Sequence, residues 1–360
     1  MTQVVTFDFG GKFNPNSYQN LLHSLENVAK HSQNVLVLGC REEDCNPSAQ
    51  YAQTLELQKY IHNLGMQFCV FFNHYTQYAE EHMPEIDVHY LDFMLLKTIY
   101  NAANPMPAQG QGILFLIAKP DRPHRAPLLY KFYEREQLHK LTWSLFLPTA
   151  LQKKVRDLIP SATDQQWENF VNLQRSPDHM LAVVSGDSVH IPNSFHYDRS
   201  IFARTNVSLV SESTFELDNL PVSVRATEKT YKAIDNRHPF VIAGQPGTLA
   251  RLQSLGYRTF ENYLPHADYD QEVDSGQRLE MIYENILFLH NLTTTNPAVL
   301  AKDVEHNWMI NQQRYQHELE RAASVLAKYG YVGPTIDCFM MHDQFAPNDL
   351  TEKFMKLDNK

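Results

Sequence analysis

The run Arg225-Ala226-Thr227-Glu228-Lys229 sets a hydroxyl side chain one residue ahead of an acid and a base, where a helical pattern begins. Thr227 is a suitable helix N-cap. Glu228 and Lys229 then fall in the first turn, where unsatisfied N–H groups and the helix dipole favour an anion. A diphosphate fits such a place. Lys229 adds a mobile positive charge, Arg225 offers a planar fork for phosphate oxygens, and Glu228 can accept hydrogen bonds from ribose hydroxyls. Glu212 ends the preceding strand-like run, where it is expected to project from the carboxyl edge of a sheet, the usual ligand side of open α/β folds. The same residues admit a structural reading, in which Thr227 merely caps a helix and Glu228 and Lys232 form an exposed i,i+4 pair worth a few tenths of a kcal/mol.

A second cluster lies in KPDRPHRAPLLY, residues 119–130, directly after an apolar run. Arg122, His124 and Arg125 fall there on a strand-to-helix loop, another position suited to phosphate, or else an ordinary solvated basic surface. Seventeen histidines are scattered along the chain without an HExxH or comparable ligand pair. Asp268 and Asp270 spell D-Y-D, but they fall in a loop after Phe260, and no metal site is assigned.

Such residues have to be held by a scaffold, and the chain alternates strand and helix patterns. Val4–Phe9, Val35–Leu38 and Phe68–Phe72 read as short buried strands, while Tyr18–His31 and Ala52–Leu64 carry apolar residues near the 3.6-residue period. This alternation predicts a parallel sheet with helical crossovers. Val88–Asn101 reads as helix-rich, and the proline- and glycine-containing stretch 102–112 as a linker. Beyond it, 113–118 reads as a strand, Pro127–Leu141 as a helix, and the rest through Arg199 as irregular and polar. Residues 207–260 then read as strand, helix, strand, helix and a short strand 257–260. Gly247 precedes the second of these helices and Gly256 follows it in a left-handed cap. From Ser275 onward the pattern is mainly helical.

With 360 residues the chain exceeds what one core usually organises, so two domains are expected. A hydrophobic content of 43% with no low-complexity tract provides for packed cores. A formal charge of −10 argues against the broad cationic footprint of nonspecific nucleic-acid binding, although it leaves room for a local basic cleft. The amino-terminal stretch lacks a basic flank before a long apolar run, and no segment approaches a membrane span, which predicts a cytoplasmic location. Cys40, Cys45, Cys69 and Cys338 show no CxxC pair and are read as reduced structural thiols.

Taken in order, these segments resemble the donor domain of alpha-1,3-fucosyltransferases and related phage-encoded glycosyltransferases. The shared order is a strand, an arginine-bearing loop and a helix, then a strand ending in Glu, a TEK-bearing helix and a strand PFVIAG. TEKTYKAIDNRHPFVIAGQPGTLARLQSLGYRTF, followed by DYDQEVD and Arg278, is particularly similar to glycosyltransferases of phage and viral genomes. The likeness spans residues 110–290 or so. In that group an arginine after the opening strand and the Glu and Lys of TEK engage a nucleotide-diphosphate sugar. The resemblance carries those roles to Arg122 or Arg125, to Glu228 and to Lys229, with Glu212 in the place of the acidic residue upstream. It also implies metal independence without a cofactor, the departing diphosphate being stabilised by Arg, Lys and helix N-termini. The fucosyltransferase pattern has a small-residue turn after its TEK helix, where this chain has Asn236, Arg237 and His238, so the donor sugar stays open.

The fold expected from this is α/β and GT-B-like: two Rossmann-like domains facing across a cleft, followed by C-terminal helices. Residues 1–105 are assigned to the acceptor side, 106–290 to the nucleotide-sugar donor domain and 291–360 to a C-terminal helical segment. The implied partners are a nucleotide sugar and a hydroxyl acceptor, whether glycan, lipopolysaccharide or modified base. Transfer to a hydroxyl needs a carboxylate or imidazole within hydrogen-bond reach. Asp8, at the end of the first strand, and His74, after the third, are the candidate general bases, although strand-end polar residues also organise loops. Two other readings compete: a noncatalytic nucleotide- or glycan-binding protein with this fold, and a glycosyltransferase acting on modified nucleic-acid bases.

Overall fold

A computed structural model describes residues 3–8, 15–31, 35–41, 47–72, 88–100, 110–117, 120–144, 147, 149–173, 199–216, 224, 226–331 and 333. Among these the protein is α/β, with two four-stranded sheets, every strand pairing parallel, and eleven α-helices. The chain divides into two compact units, Met1–Leu96 with Arg314–Lys360, and Lys97–Gln313. No described helix is long and apolar enough to cross a membrane.

The first unit alternates β1 (Gln3–Asp8), α1 (Pro15–His31), β2 (Val35–Arg41), α2 (Pro47–Asn63), β3 (Gln67–Phe72) and β4 (Val88–Tyr90), with α3 (Phe93–Tyr100) beginning inside it. Its strands lie side by side in chain order. Strands of a parallel sheet are covered on both faces, and Val35, Leu36 and Val37 of β2 are all buried. Val35, Val37, Phe68 and Val70 pack against Leu25 of α1 and Leu57 and Ile61 of α2. Leu36, Cys69 and Phe71 instead meet Ala322, Val325 and Leu326, from the last described helix. Cys69 is a buried thiol.

The second unit runs β5 (Ile113–Leu116), α4 (Arg125–Glu134), β6 (Leu141–Ser144), α5 (Thr149–Asp157), α6 (Asp164–Leu173), α7 (Ser200–Ala203), β7 (Val207–Ser211), α8 (Glu228–Asp235), β8 (Phe240–Ala243), α9 (Thr248–Ser254) and α10 (Ser275–Thr295). It also holds the first part of α11 (Ala301–Lys328). All five residues of β7 are buried, and α8 and α10 pack against it. The strand order is β6-β5-β7-β8. From β5 the chain crosses to β6 on one side, whereas β7 and then β8 are added on the other. Where neighbouring strands send their connections in opposite directions, a crevice opens at their carboxyl ends. Here that crevice lies beyond Leu116 and Ser211.

Several sequence expectations are corrected. Residues 88–100 start as a strand, because β4 extends the sheet beside β3 and Asp92 then caps α3 through Leu95 N–H at 3.0 Å. The helix expected at Pro127–Leu141 is α4, which begins at Arg125 and stops before Glu136, whose φ of 55° is left-handed. A 3-10 turn and β6 occupy 138–144, so the stretch expected to be irregular contains a strand and two helices. Residues 257–260 form no strand; Phe260, with φ 65°, leads into a 3-10 turn. Gly256 has the expected left-handed φ, 92°. Residues through Gln313 belong to the second unit and those from Arg314 to the first.

Candidate functional site

The two clusters singled out in the sequence meet at the β5/β7 switch point. Arg125, first residue of α4, is buried and spans to the end of β7. Its Nε donates to Ser211 Oγ at 2.9 Å, and its Nη2 donates to the main-chain oxygens of Ser211 at 3.2 Å and Glu212 at 3.1 Å. Arg122, three residues earlier, is half-buried; its main-chain oxygen accepts from Arg125 N–H, and its side chain makes no hydrogen bond or ion pair among the described residues. The two arginines on which the resemblance left a choice thus differ in kind: one is fixed to the sheet and the other is uncommitted.

His124 is fully buried, with Nε2 lying 3.1 Å from Glu212 O and 3.0 Å from Ser211 Oγ. A carbonyl only accepts, so Nε2 carries the proton and Nδ1 is a bare lone pair. Nδ1 has no hydrogen-bond partner among the described residues. Burial, followed by the charge of Arg125 and, after the opposing bond to Glu212, those of Arg122 and Arg278, holds the imidazole well below its ordinary range. It is neutral, and it repels a phosphate oxygen at Nδ1. The ring stacks on Phe215 at 4.7 Å, and the Arg278 guanidinium lies 4.1 Å from the centre of that same phenyl ring. Arg278 is anchored in turn by the main-chain oxygens of Phe215 and Glu272.

Glu212 does not project as expected from the sheet edge. Its carboxylate is buried at the start of α8, where it accepts from Thr227 N–H at 2.9 Å and from the hydroxyls of Thr227 and Thr230. A side-chain anion therefore already stands at part of the helix terminus where a ligand anion was expected. Thr227 has the extended backbone of an N-cap, with φ −105°, and its Oγ1 accepts from Lys229 N–H at a long 3.4 Å.

The bland reading of an exposed Glu228 and Lys232 pair also fails, since both residues are buried. Lys229 Nζ lies 2.5 Å from Glu228 Oε1, and the Lys229 side chain is 18% exposed. Burial pushes the Glu228 carboxyl up, but the charges of Lys229 and Lys232 together with the Lys229 hydrogen bond outweigh it and hold the group at about 2. Lys229 and Lys232 line a recess floored by Leu114 and Leu116 of β5 and by β7.

The remaining expectations separate. Asp8 ends β1 opposite Cys40, but its side chain, like His74 and Arg225, lies outside the described residues. Asp270 holds the start of α9 in place, its Oδ2 accepting from Leu249 N–H at 3.0 Å and Ala250 N–H at 3.3 Å. Burial raises its carboxyl to about 6 against the pull of those amides. Among the described residues no group of three or more His, Cys, Asp and Glu side chains could hold a metal ion. Sequence reasoning missed Ser211 and Phe215, which carry no motif of their own and matter only because the fold sets them beside His124. No family model matches the chain, and no curated protein or solved structure matches it.

Proposed function

We propose that the crevice at the carboxyl ends of β5 and β7 is the donor site of a metal-independent glycosyltransferase that moves a sugar from a nucleotide-diphosphate sugar to a hydroxyl acceptor. One observation carries the reading: His124 and Arg125, following β5, bond to Ser211 and Glu212, ending β7, at the place where open parallel sheets bind ligands. Arg122 and Arg125 bring positive charge to His124, and Lys229 and Lys232 bring it to Glu228. Cations placed so suit an anionic ligand.

In this reading Arg122 and Lys229 meet the diphosphate, and Lys229 shifts from Glu228 toward the leaving group as charge develops there. Glu228, released from that contact, accepts hydrogen bonds from ribose. Arg125 and Glu212 are positioning residues, one fixing β7 and the other α8. The acceptor side, a facing amino-terminal domain and a general base at Asp8 or His74 belong to the same proposal. A noncatalytic glycan-binding protein is the second reading, favoured by Glu212 taking the Thr227 amide that a diphosphate would otherwise use.

A thermal-shift screen against UDP-, GDP-, ADP- and CMP-linked sugars, with and without chelator, tests the site. A ligand at a hundredfold excess over its dissociation constant adds about 2.7 kcal/mol to stability. A selective rise that chelator leaves unchanged supports the proposal, and no rise with any nucleotide rejects it. Hydrolysis or transfer of the sugar that binds separates the enzyme from the noncatalytic reading.

A further inference from the structure

His124 offers a buried acceptor that nothing described satisfies. Its Nε2–H is committed to Glu212 O and its Nδ1 lone pair has no partner among the described residues. Leaving such an atom unpaired is costly, and a ligand hydrogen-bond donor would remove that cost. An imidazole lone pair turns away phosphate and carboxylate oxygens, yet positive charges from Arg122, Arg125 and Arg278 bear on this ring. The group that fits Nδ1 is therefore an uncharged O–H close to an anion. In a nucleotide-diphosphate sugar the hydroxyls flanking the diphosphate belong to the ribose and to the transferred sugar, whereas base N–H groups lie a ribose away.

Resting on the donor-site reading, we infer that His124 is a specificity residue whose Nδ1 accepts a hydrogen bond from a donor hydroxyl next to the diphosphate. The imidazole is fully buried, so a ligand reaches that edge only if a covering group moves. Phe215 is the described residue stacked on the face of that ring.

Calorimetric titration of wild type and His124→Gln with inorganic diphosphate, nucleoside diphosphates and their sugar-linked forms tests this. Glutamine can keep an amide N–H directed at Glu212 O but has no Nδ1 lone pair. The variant should bind inorganic diphosphate as wild type does and the hydroxyl-bearing ligand about tenfold more weakly. A loss already present with nucleoside diphosphate assigns the ribose; one confined to the sugar-linked form assigns the transferred sugar. Deoxy analogues bound to wild type give the same answer without a variant, removal of the contacted hydroxyl weakening binding about tenfold. Unchanged wild-type affinity on every hydroxyl deletion, no loss of affinity in His124→Gln, or an equal loss for diphosphate and nucleotide ligands overturns the inference while leaving the donor site standing. A wild-type protein that binds no nucleotide overturns both.

Discussion

Arg125 Nε and Ser211 Oγ lie 2.9 Å apart across 86 positions of sequence. With the two bonds from Nη2 to main-chain oxygens, this contact ties the loop after β5 to the end of β7.

Arg125→Lys keeps the charge but cannot form the same fork of directed bonds from a single ammonium. It should cost about 2–4 kcal/mol of stability in urea unfolding. Arg122→Ala should stay within about 0.5 kcal/mol of wild type, since its side chain is uncommitted, and should weaken diphosphate binding. Equal stability of both variants would contradict this division of labour.

Glu212→Ala strips the Thr227 amide and the Thr227 and Thr230 hydroxyls of their shared acceptor. A loss of about 3 kcal/mol is expected from these buried donors, together with faster amide exchange at Thr227. Glu212→Gln should lose less than half as much, because its carbonyl oxygen still accepts and a threonine hydroxyl can turn to meet the amide. A Gln variant as unstable as Ala would show that the negative charge itself holds α8.

Lys229→Ala removes the nearest cation from buried Glu228 but leaves Lys232. Stability at neutral pH should fall by about 1–2 kcal/mol, recovering relative to wild type once Glu228 is protonated. Nucleotide affinity should fall far more than stability. A variant that binds donor normally would remove the basis for assigning Lys229 to the diphosphate.

Three buried groups set opposing pH slopes. His238, hydrogen-bonded to Ser208 Oγ and Phe202 O, sits at about 4 against an ordinary 6.5, burial being the main cause. The unfolded chain takes that proton first, so stability falls as pH drops from 6.5 to 4. Glu228, at about 2 against 4.5, contributes stability that is present above 4.5 and is lost as pH falls toward 2. Asp270, at about 6 against 3.8, acts the other way: the folded chain binds its proton first, and stability rises as pH falls from 6 to 3.8. Urea midpoints measured across this range should lose their separate slopes in His238→Gln, Glu228→Gln and Asp270→Asn. A slope that survives its own substitution would refute that assignment.

Local pattern made much of this legible. Repeated short apolar runs between amphipathic helices announced parallel sheets, and Thr227 announced the start of α8, because capping and periodicity are properties of neighbouring residues. What escaped depended on distant partners. The three residues of β4 are too few to show a period, and only β3 makes them a strand. Glu212 read as a ligand acid because its actual partners, Thr227 and Thr230, come 15 and 18 residues later. Glu228 and Lys232 looked like a surface pair since i,i+4 spacing says nothing about what covers them. That Arg122 and Arg125 differ in kind could not be seen until Ser211 was known to stand beside one of them.

Helix α11 has a bearing on how the protein is made. Ala322, Val325 and Leu326 of α11 complete the packing on Leu36, Cys69 and Phe71 of the amino-terminal sheet. Synthesis delivers that sheet first, yet one of its faces must wait for residues more than two hundred positions downstream. Residues 97–313, contiguous in the chain, can meanwhile fold as they emerge. The sheet of the first unit thus leaves the ribosome before the second unit and is closed after it, and a stop codon before residue 322 would strand an apolar sheet face in the nascent protein.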